Sequence, residues 1–310
     1  MHKKVVGGFV KREGEQIMSF KETLQSGKFV VTAEVGPPKG TDIATMLHDM
    51  HLLKGKLDAV NVTDNQSAVM RINSMAVCKL AIENGLEPIL QMTCRDRNRI
   101  ALQSDLLGAS VLGIHNVLIM TGDHVSAGDQ KGAKPVYDIE SVQLLQVVDG
   151  LNNGKDMYGN ALKGATSFFQ GAVVTPESNP IEPQLMKFRK KVKAGAHFFQ
   201  SQAIYDIDKF KEFMAFARQF PVKVLAGLVV LKSVGMANFL NNNVPGIKVP
   251  QVLIDELKAA GKEKALDTGL NITARHIRQL KEENICDGVH IMAIGMEDKV
   301  PTILQRAGLL

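Results

Sequence analysis

The chain has 310 residues, 45% hydrophobic and 22% charged, which is enough to bury either one barrel-sized core or two smaller ones. A formal charge of +5 and a pI near 9.0 suit a small anionic ligand. With no Trp, three Tyr and no basic stripe interleaved with aromatics, the chain argues against nucleic-acid binding. No run reaches the roughly 18 apolar residues of a membrane helix, and the opening Met1 to Phe9 lacks a secretory apolar core, so the expectation is a cytoplasmic globular protein. Cys78, Cys94 and Cys286 are odd in number and scattered, which excludes a disulfide framework and a four-thiolate metal or iron-sulfur site within one chain.

Residues 1–17 form a basic, glycine-containing extension, expected as a tail rather than a contact arm. Ser19-Phe-Lys-Glu22 is a capping-box pattern that opens the first helix, so the ordered domain is expected over 18–310. The run from Phe29 to Val35 reads as a buried strand that Gly36, Pro37 and Pro38 terminate. Alternation puts Thr32 and Glu34 on one face and Val31, Ala33 and Val35 on the other. Seven further strand-like runs follow: Ala59 to Thr63, Glu87 to Thr93, Asn116 to Thr121, Phe168 to Val174, His197 to Gln202, Val222 to Val229 and Gly288 to Ile294. Helical periodicity lies between them, as in Leu185, Phe188 and Val192, or Ile207, Phe210, Met214 and Ala217. Strands alternating with helices imply parallel pairing, and eight such units in a chain of this length predict a single closed (β/α)8 TIM barrel, with a doubly wound sheet as the alternative. Two extra helical stretches, near Gln251 to Ala260 and Lys262 to Lys281, fall between the seventh and eighth strands.

In such a barrel the active site forms where strands end. Those ends carry Glu34; Thr63 to Gln66; Gln91, Thr93, Arg95 and Asp96; Thr121 to His124; Thr175 and Glu177; Gln200 to Gln202; and His290 with Met292. Each Thr or Gln alone is a loop cap by default, whereas the convergence of the set points to a ligand site. Glu34 is flanked by apolar residues, and a buried carboxyl favours its protonated form, which suits a general acid. Asp123 follows an open Thr-Gly turn, so the two acids fit separate roles, although a loop cap competes for Asp123. The cluster Lys187, Arg189, Lys190, Lys191 and Lys193 is a solvated face by default, with phosphate contact by Lys190 and Lys191 as the competing role. Dinucleotide and P-loop fingerprints, the zinc-protease helix and the nucleophile elbow are all missing.

From about Ser19 onward the chain resembles the methylenetetrahydrofolate reductase family of flavin-dependent (β/α)8 barrels. The resemblance is carried in order by Ala33-Glu34-Val-Gly-Pro37-Pro38, Val62-Thr63, Met92-Thr93-Cys94, Leu118-Ile-Met-Thr-Gly122-Asp123, Lys190 to Ala196, Phe199-Gln-Ser-Gln202 with Tyr205-Asp206, and Gly288-Val-His290. It implies reduction of 5,10-methylenetetrahydrofolate to 5-methyltetrahydrofolate, a step of one-carbon metabolism toward methionine, with hydride from reduced flavin. It implies Glu34 as general acid, Asp123 between flavin and pterin, and Gln202 on the pterin ring. Flavin contacts then fall to Thr63, Gln91, Thr121, Gly122, Asp123, Tyr137, Asp138, Thr175, Gln184, Lys187, Lys190 and Lys191.

Gln91 stands where many relatives have His, Thr121 where many have Arg and Thr175 where some have Tyr, so the resemblance implies FAD while leaving FMN open. NADH, NADPH or ferredoxin acting through an iron-sulfur partner subunit all stay open as electron source, and a homo-oligomer is the alternative assembly. Two other functional classes compete: a flavin-holding subunit without chemistry of its own, and a pterin-dependent methyltransferase without flavin.

Overall fold

A computed structural model describes residues 18–310; the N-terminal extension expected over 1–17 lies outside the described residues. The strands are β1 (Val30–Val35), β2 (Ala59–Val62), β3 (Pro88–Thr93), β4 (Asn116–Met120), β5 (Phe169–Val174), β6 (Phe198–Ala203), β7 (Lys223–Val229) and β8 (Gly288–Met292). They pair in parallel and in chain order, and β8 returns to β1 to close the barrel. Each lies within two residues of its expected limits. The closed barrel is therefore a (β/α)8 fold, and no sheet edge is left to pair with another chain.

The helices are α1 (Phe20–Gln25), α2 (Ala44–Leu53), α3 (Ser74–Glu83), α4 (Arg99–Val111), α5 (Ser141–Asn152), α6 (Glu182–Lys193), α7 (Ile207–Ala217), α8 (Val234–Asn243), α9 (Gln251–Glu282) and α10 (Val300–Arg306). The capping box of α1 forms: Glu22 N donates to Ser19 Oγ at 3.3 Å, and Ser19 N donates to the Glu22 carboxylate at 2.8 Å. That short helix plugs the barrel floor. Phe20 and Leu24 are fully buried against Val30, Ile89, Phe169, Phe198 and Leu225, with Phe20 edge-on to Phe169 and Phe198 at 5.9 and 5.2 Å. Outward-facing strand residues such as Ala33, Val62, Leu90 and Ile119 pack beneath the helices in the main core.

The extra material before β8 builds a smaller core of its own, in which Leu240 of α8 meets Leu253, Ile254 and Leu257 of α9. Helix α9 is two helices in one run, because Gly261 breaks it with φ 75° and ψ 166°. That break separates the two stretches expected from sequence, and only glycine reaches this backbone region without strain.

Candidate active site

A cavity of about 370 Å³ opens at the carboxyl ends of the strands, within the ~300–1,000 Å³ of small-molecule sites. It gathers Glu34, Gln91, Thr121, Gly122, Asp123, Thr175, Gln184, Lys187, Lys191 and Gln202 from the sequence-derived set. Thr63, Tyr137, Asp138 and Lys190 do not line it. A second cavity, about 340 Å³, lies at the opposite face between Lys28, Asp58 and Leu310, away from the polar strand ends.

Glu34 is buried near the end of β1. Its apolar strand neighbours Ala33 and Val35 pack outward under the helices, so the apolar surroundings expected for the carboxyl belong to them and not to it. Inside the barrel it faces polar groups: Gln91 Nε2 lies 3.4 Å from Oε1, Gln66 Nε2 3.4 Å from Oε2, and His290 Nε2 3.6 Å from Oε1. A glutamine amide can turn its N–H to a carboxylate or its C=O to a carboxylic acid, so this setting accommodates both states of a proton donor. Contacts of this length shorten when a substrate or developing charge draws the groups together.

Asp123 sits in the exposed loop after β4 and lines the cavity rim. It caps no helix: the side chain that caps the next turn, Val125–Ala127, is that of His124, whose Nδ1 accepts from Ser126 N at 3.2 Å. The loop is held by its main chain. Tyr137 Oη donates to the carbonyls of Asp123 and Gly122 at 3.0 and 3.3 Å, which is why Tyr137 stands behind the rim. Gly122 adopts φ +88°, and a Cβ there would lie 2.9 Å from Thr93 Cβ, so this turn requires glycine.

Arg95, a strand-end residue to which the sequence assigns no role, is 2% exposed and lines the cavity. Its guanidinium grips Asp96 through Nε and Nη2, both at 2.7 Å, and reaches the carbonyls of Asn65 at 3.1 Å and Asp123 at 3.4 Å. Burial works against it, but the guanidinium holds the Asp96 carboxyl below its ordinary value. Asp138 is engaged elsewhere: Arg99 holds it bidentately at 2.8 and 2.9 Å, which keeps its carboxyl down at about 2. Two residues thus anchor the β4 loop, Arg95 from inside and Asp138 from outside.

Gln202 reaches the cavity because β6 carries a bulge, with the register against β7 shifting between Gln200 and Ala203. Ser201 Oγ fills it, donating to the Gln202 carbonyl at 2.7 Å and accepting from Gly227 N at 2.8 Å. Bulges re-aim side chains, and here Gln202 is the exposed member of an otherwise buried strand. On α6, Lys191 points inward and is buried, its Nζ donating to the Val173 carbonyl at 2.6 Å. Burial, reinforced by Lys187, pulls its amine down to about 8. Lys187 lines the cavity and pairs with Glu140 at 3.1 Å, whereas Lys190 faces solvent. Thr63 lies just past β2, buried, with an Oγ1 that has no hydrogen-bond partner.

Residues 19–308 match the family model described as methylenetetrahydrofolate reductase. The chain belongs to that family. It is 20% identical over 230 residues to a Caenorhabditis elegans protein named probable methylenetetrahydrofolate reductase (NADPH), covering 73% of this chain and 33% of that one. It is 24% identical over 313 residues to methylenetetrahydrofolate reductase 2 of Saccharomyces cerevisiae, covering 96% and 49%. The chain thus spans a third to a half of the length of these relatives. Among solved structures, a Clostridium thermocellum protein described as binding two copies of 5-methyl-5,6,7,8-tetrahydrofolic acid shares the fold, with a TM-score of 0.60, 13% identity and coverage of 93% and 97%.

Among the described residues no group of three or more His, Cys, Asp or Glu is placed to hold a metal ion, and no helix is long and apolar enough to cross a membrane. The three cysteines are all buried and unpaired.

Proposed function

We propose that the chain catalyses the flavin-dependent reduction of 5,10-methylenetetrahydrofolate to 5-methyltetrahydrofolate. The observation that carries this is the placement of two acids around one cavity: Glu34 buried on a strand among amide and imidazole groups, and Asp123 exposed at the rim after β4. Environments this different suit one carboxyl to proton transfer and the other to electrostatic work.

The lining also fits a flavin. Lys187 and Lys191 offer cations for its phosphate groups, the Thr121-Gly122 turn offers close backbone approach, and Gln91, Thr175 and Gln184 offer polar contacts. FAD is the leading candidate and FMN the alternative. When bound, the flavin supplies a hydride from N5.

The chain's residues do the rest. Opening the five-membered ring of the folate requires a proton on the departing nitrogen, and Glu34 delivers it. The Asp123 carboxylate disfavours negative charge beside it and accepts hydrogen bonds from the amino edge of the pterin, while Gln202 binds the ring from β6. NADH, NADPH or a reduced ferredoxin supplies electrons; with no site for an iron-sulfur cluster among the described residues, the ferredoxin route needs a partner subunit. The absorption spectrum of purified protein tests the proposal: bands near ~370 and ~450 nm, bleached by donor and restored by methylenetetrahydrofolate, are expected. Colourless protein with full activity overturns it.

A further inference from the structure

Between the apolar floor and the cavity, four buried polar side chains from β1, β2, β6 and β8 form one hydrogen-bonded run. Asn61 Nδ2 donates to Gln200 Oε1 at 2.7 Å, and Gln200 Nε2 returns an N–H to Asn61 Oδ1 at 3.0 Å. This reciprocal pair leaves Gln200 one N–H, which Thr32 Oγ1 accepts at 3.2 Å. The Thr32 hydroxyl then has its own proton to place, either on His290 Nδ1 at 3.0 Å or on the Val289 carbonyl at 3.4 Å. The length of the 3.0 Å contact fits either direction, and the hydroxyl proton is assigned to Nδ1 because the carbonyl, at 3.4 Å, is a poor acceptor for it. An Nδ1 that accepts carries no proton, so the neutral ring bears it on Nε2, the atom 3.6 Å from Glu34 Oε1.

We propose that His290 is a positioning residue for Glu34: the Asn61, Gln200 and Thr32 side chains fix its imidazole as the Nε2–H tautomer, so the ring donates to the carboxyl and cannot take its proton. This rests on the reading of Glu34 as the proton donor. A lone pair on Nε2 would be the most basic acceptor beside the Glu34 proton and would compete with the substrate nitrogen. An N–H in its place leaves the proton to the substrate and meets the carboxylate that remains, an interaction strongest once charge has formed.

Two measurements on the full chain test this. In protein labelled with 15N-histidine, with the His290 signals assigned by their loss in His290→Gln, Nε2 is expected to be protonated and Nδ1 not; an Nδ1–H tautomer or an imidazolium at neutral pH overturns the proposal. In stopped flow, His290→Asn keeps a polar group near Nδ1 but removes the donor to Glu34, while the longer amide of His290→Gln replaces that donor.

The Asn variant is expected to slow folate-driven flavin reoxidation about 10- to 100-fold with little change in folate affinity, and the Gln variant to stay within about threefold of wild type. Unchanged flavin reduction by the electron donor reports an intact fold in both. Equal rates in His290→Asn and wild type, or equal losses in the two variants, overturn the assignment. Failure of folate to reoxidise the wild-type flavin overturns the reductase reading instead, and leaves the tautomer readable by NMR.

Discussion

Arg95 holds Asp123 by its main chain and leaves the carboxylate untouched: Nη1 donates to the Asp123 carbonyl at 3.4 Å while Nη2 reaches the Asn65 carbonyl at 3.1 Å. One buried cation therefore ties the loops after β2 and β4 together over the cavity. Arg95→Met removes that tie, and Asp96, a third exposed, rehydrates in part. The expected loss is about 2–3 kcal/mol in urea unfolding, with weaker ligand binding. Arg95→Lys keeps the charge but loses the planar fork, so an intermediate result is expected. Wild-type stability and affinity in the Lys variant would show that charge alone suffices.

Glu34→Gln separates the two half-reactions. Donor-driven reduction of the flavin needs no proton from Glu34 and is expected at a near-normal rate. Reoxidation by methylenetetrahydrofolate is expected to slow by about 10²-fold or more, the usual effect of losing a general acid. Near-normal reoxidation in stopped flow would mean that the proton comes from another group.

Gly227→Ala tests the bulge that aims Gln202. A Cβ at this position would lie 2.1 Å from the Ser201 carbonyl oxygen and 2.9 Å from that of Gln202. Such overpacking costs about 1–3 kcal/mol, and the strand must shift to relieve it. Folate affinity is expected to fall while flavin content holds; equal loss of both would mean that the bulge does not serve the pterin end specifically.

Lys191 carries a pH signature. Its amine titrates at about 8 in the folded protein because of burial and Lys187, against about 10.4 in an unfolded chain. Between those values the unfolded state holds the extra proton, so stability rises with pH from about 8 to 10 and is lowest below 8. Lys191→Met, measured without flavin, is expected to lose this rise, shifting the stability difference from wild type by up to about 3 kcal/mol between pH 7 and 10. Parallel melting profiles for the two proteins would contradict it.

The barrel was legible because most of its strands are apolar runs that end in Gly, Pro or polar residues, and the same ends named most of the cavity. What escaped the sequence depended on rotation and register. Lys190 and Lys191 are adjacent, but a helix turns about 100° per residue, so one faces the cavity and the other solvent, and pattern alone does not say which. Asp138 follows Tyr137 directly, yet its partner Arg99 comes from another unit of the barrel. The bulge at Ser201 leaves no mark in composition, since it arises from pairing with Gly227. Arg95 read as one polar residue among several, because its worth lies in two carbonyls from distant loops.

The proposed proton donor Glu34 and the side chains proposed to orient it, His290, Thr32 and Gln200, all sit on strands, while Asp123 and Asn65 sit on loops. Strands in a closed barrel are braced on both sides, whereas loops can be exchanged without disturbing the staves. Grafting foreign segments after β4, while keeping the β2 loop whose Gln66 faces Glu34, should therefore change which molecule is admitted while the acid keeps its chemistry, which makes this barrel a chassis whose selectivity and reactivity can be engineered separately.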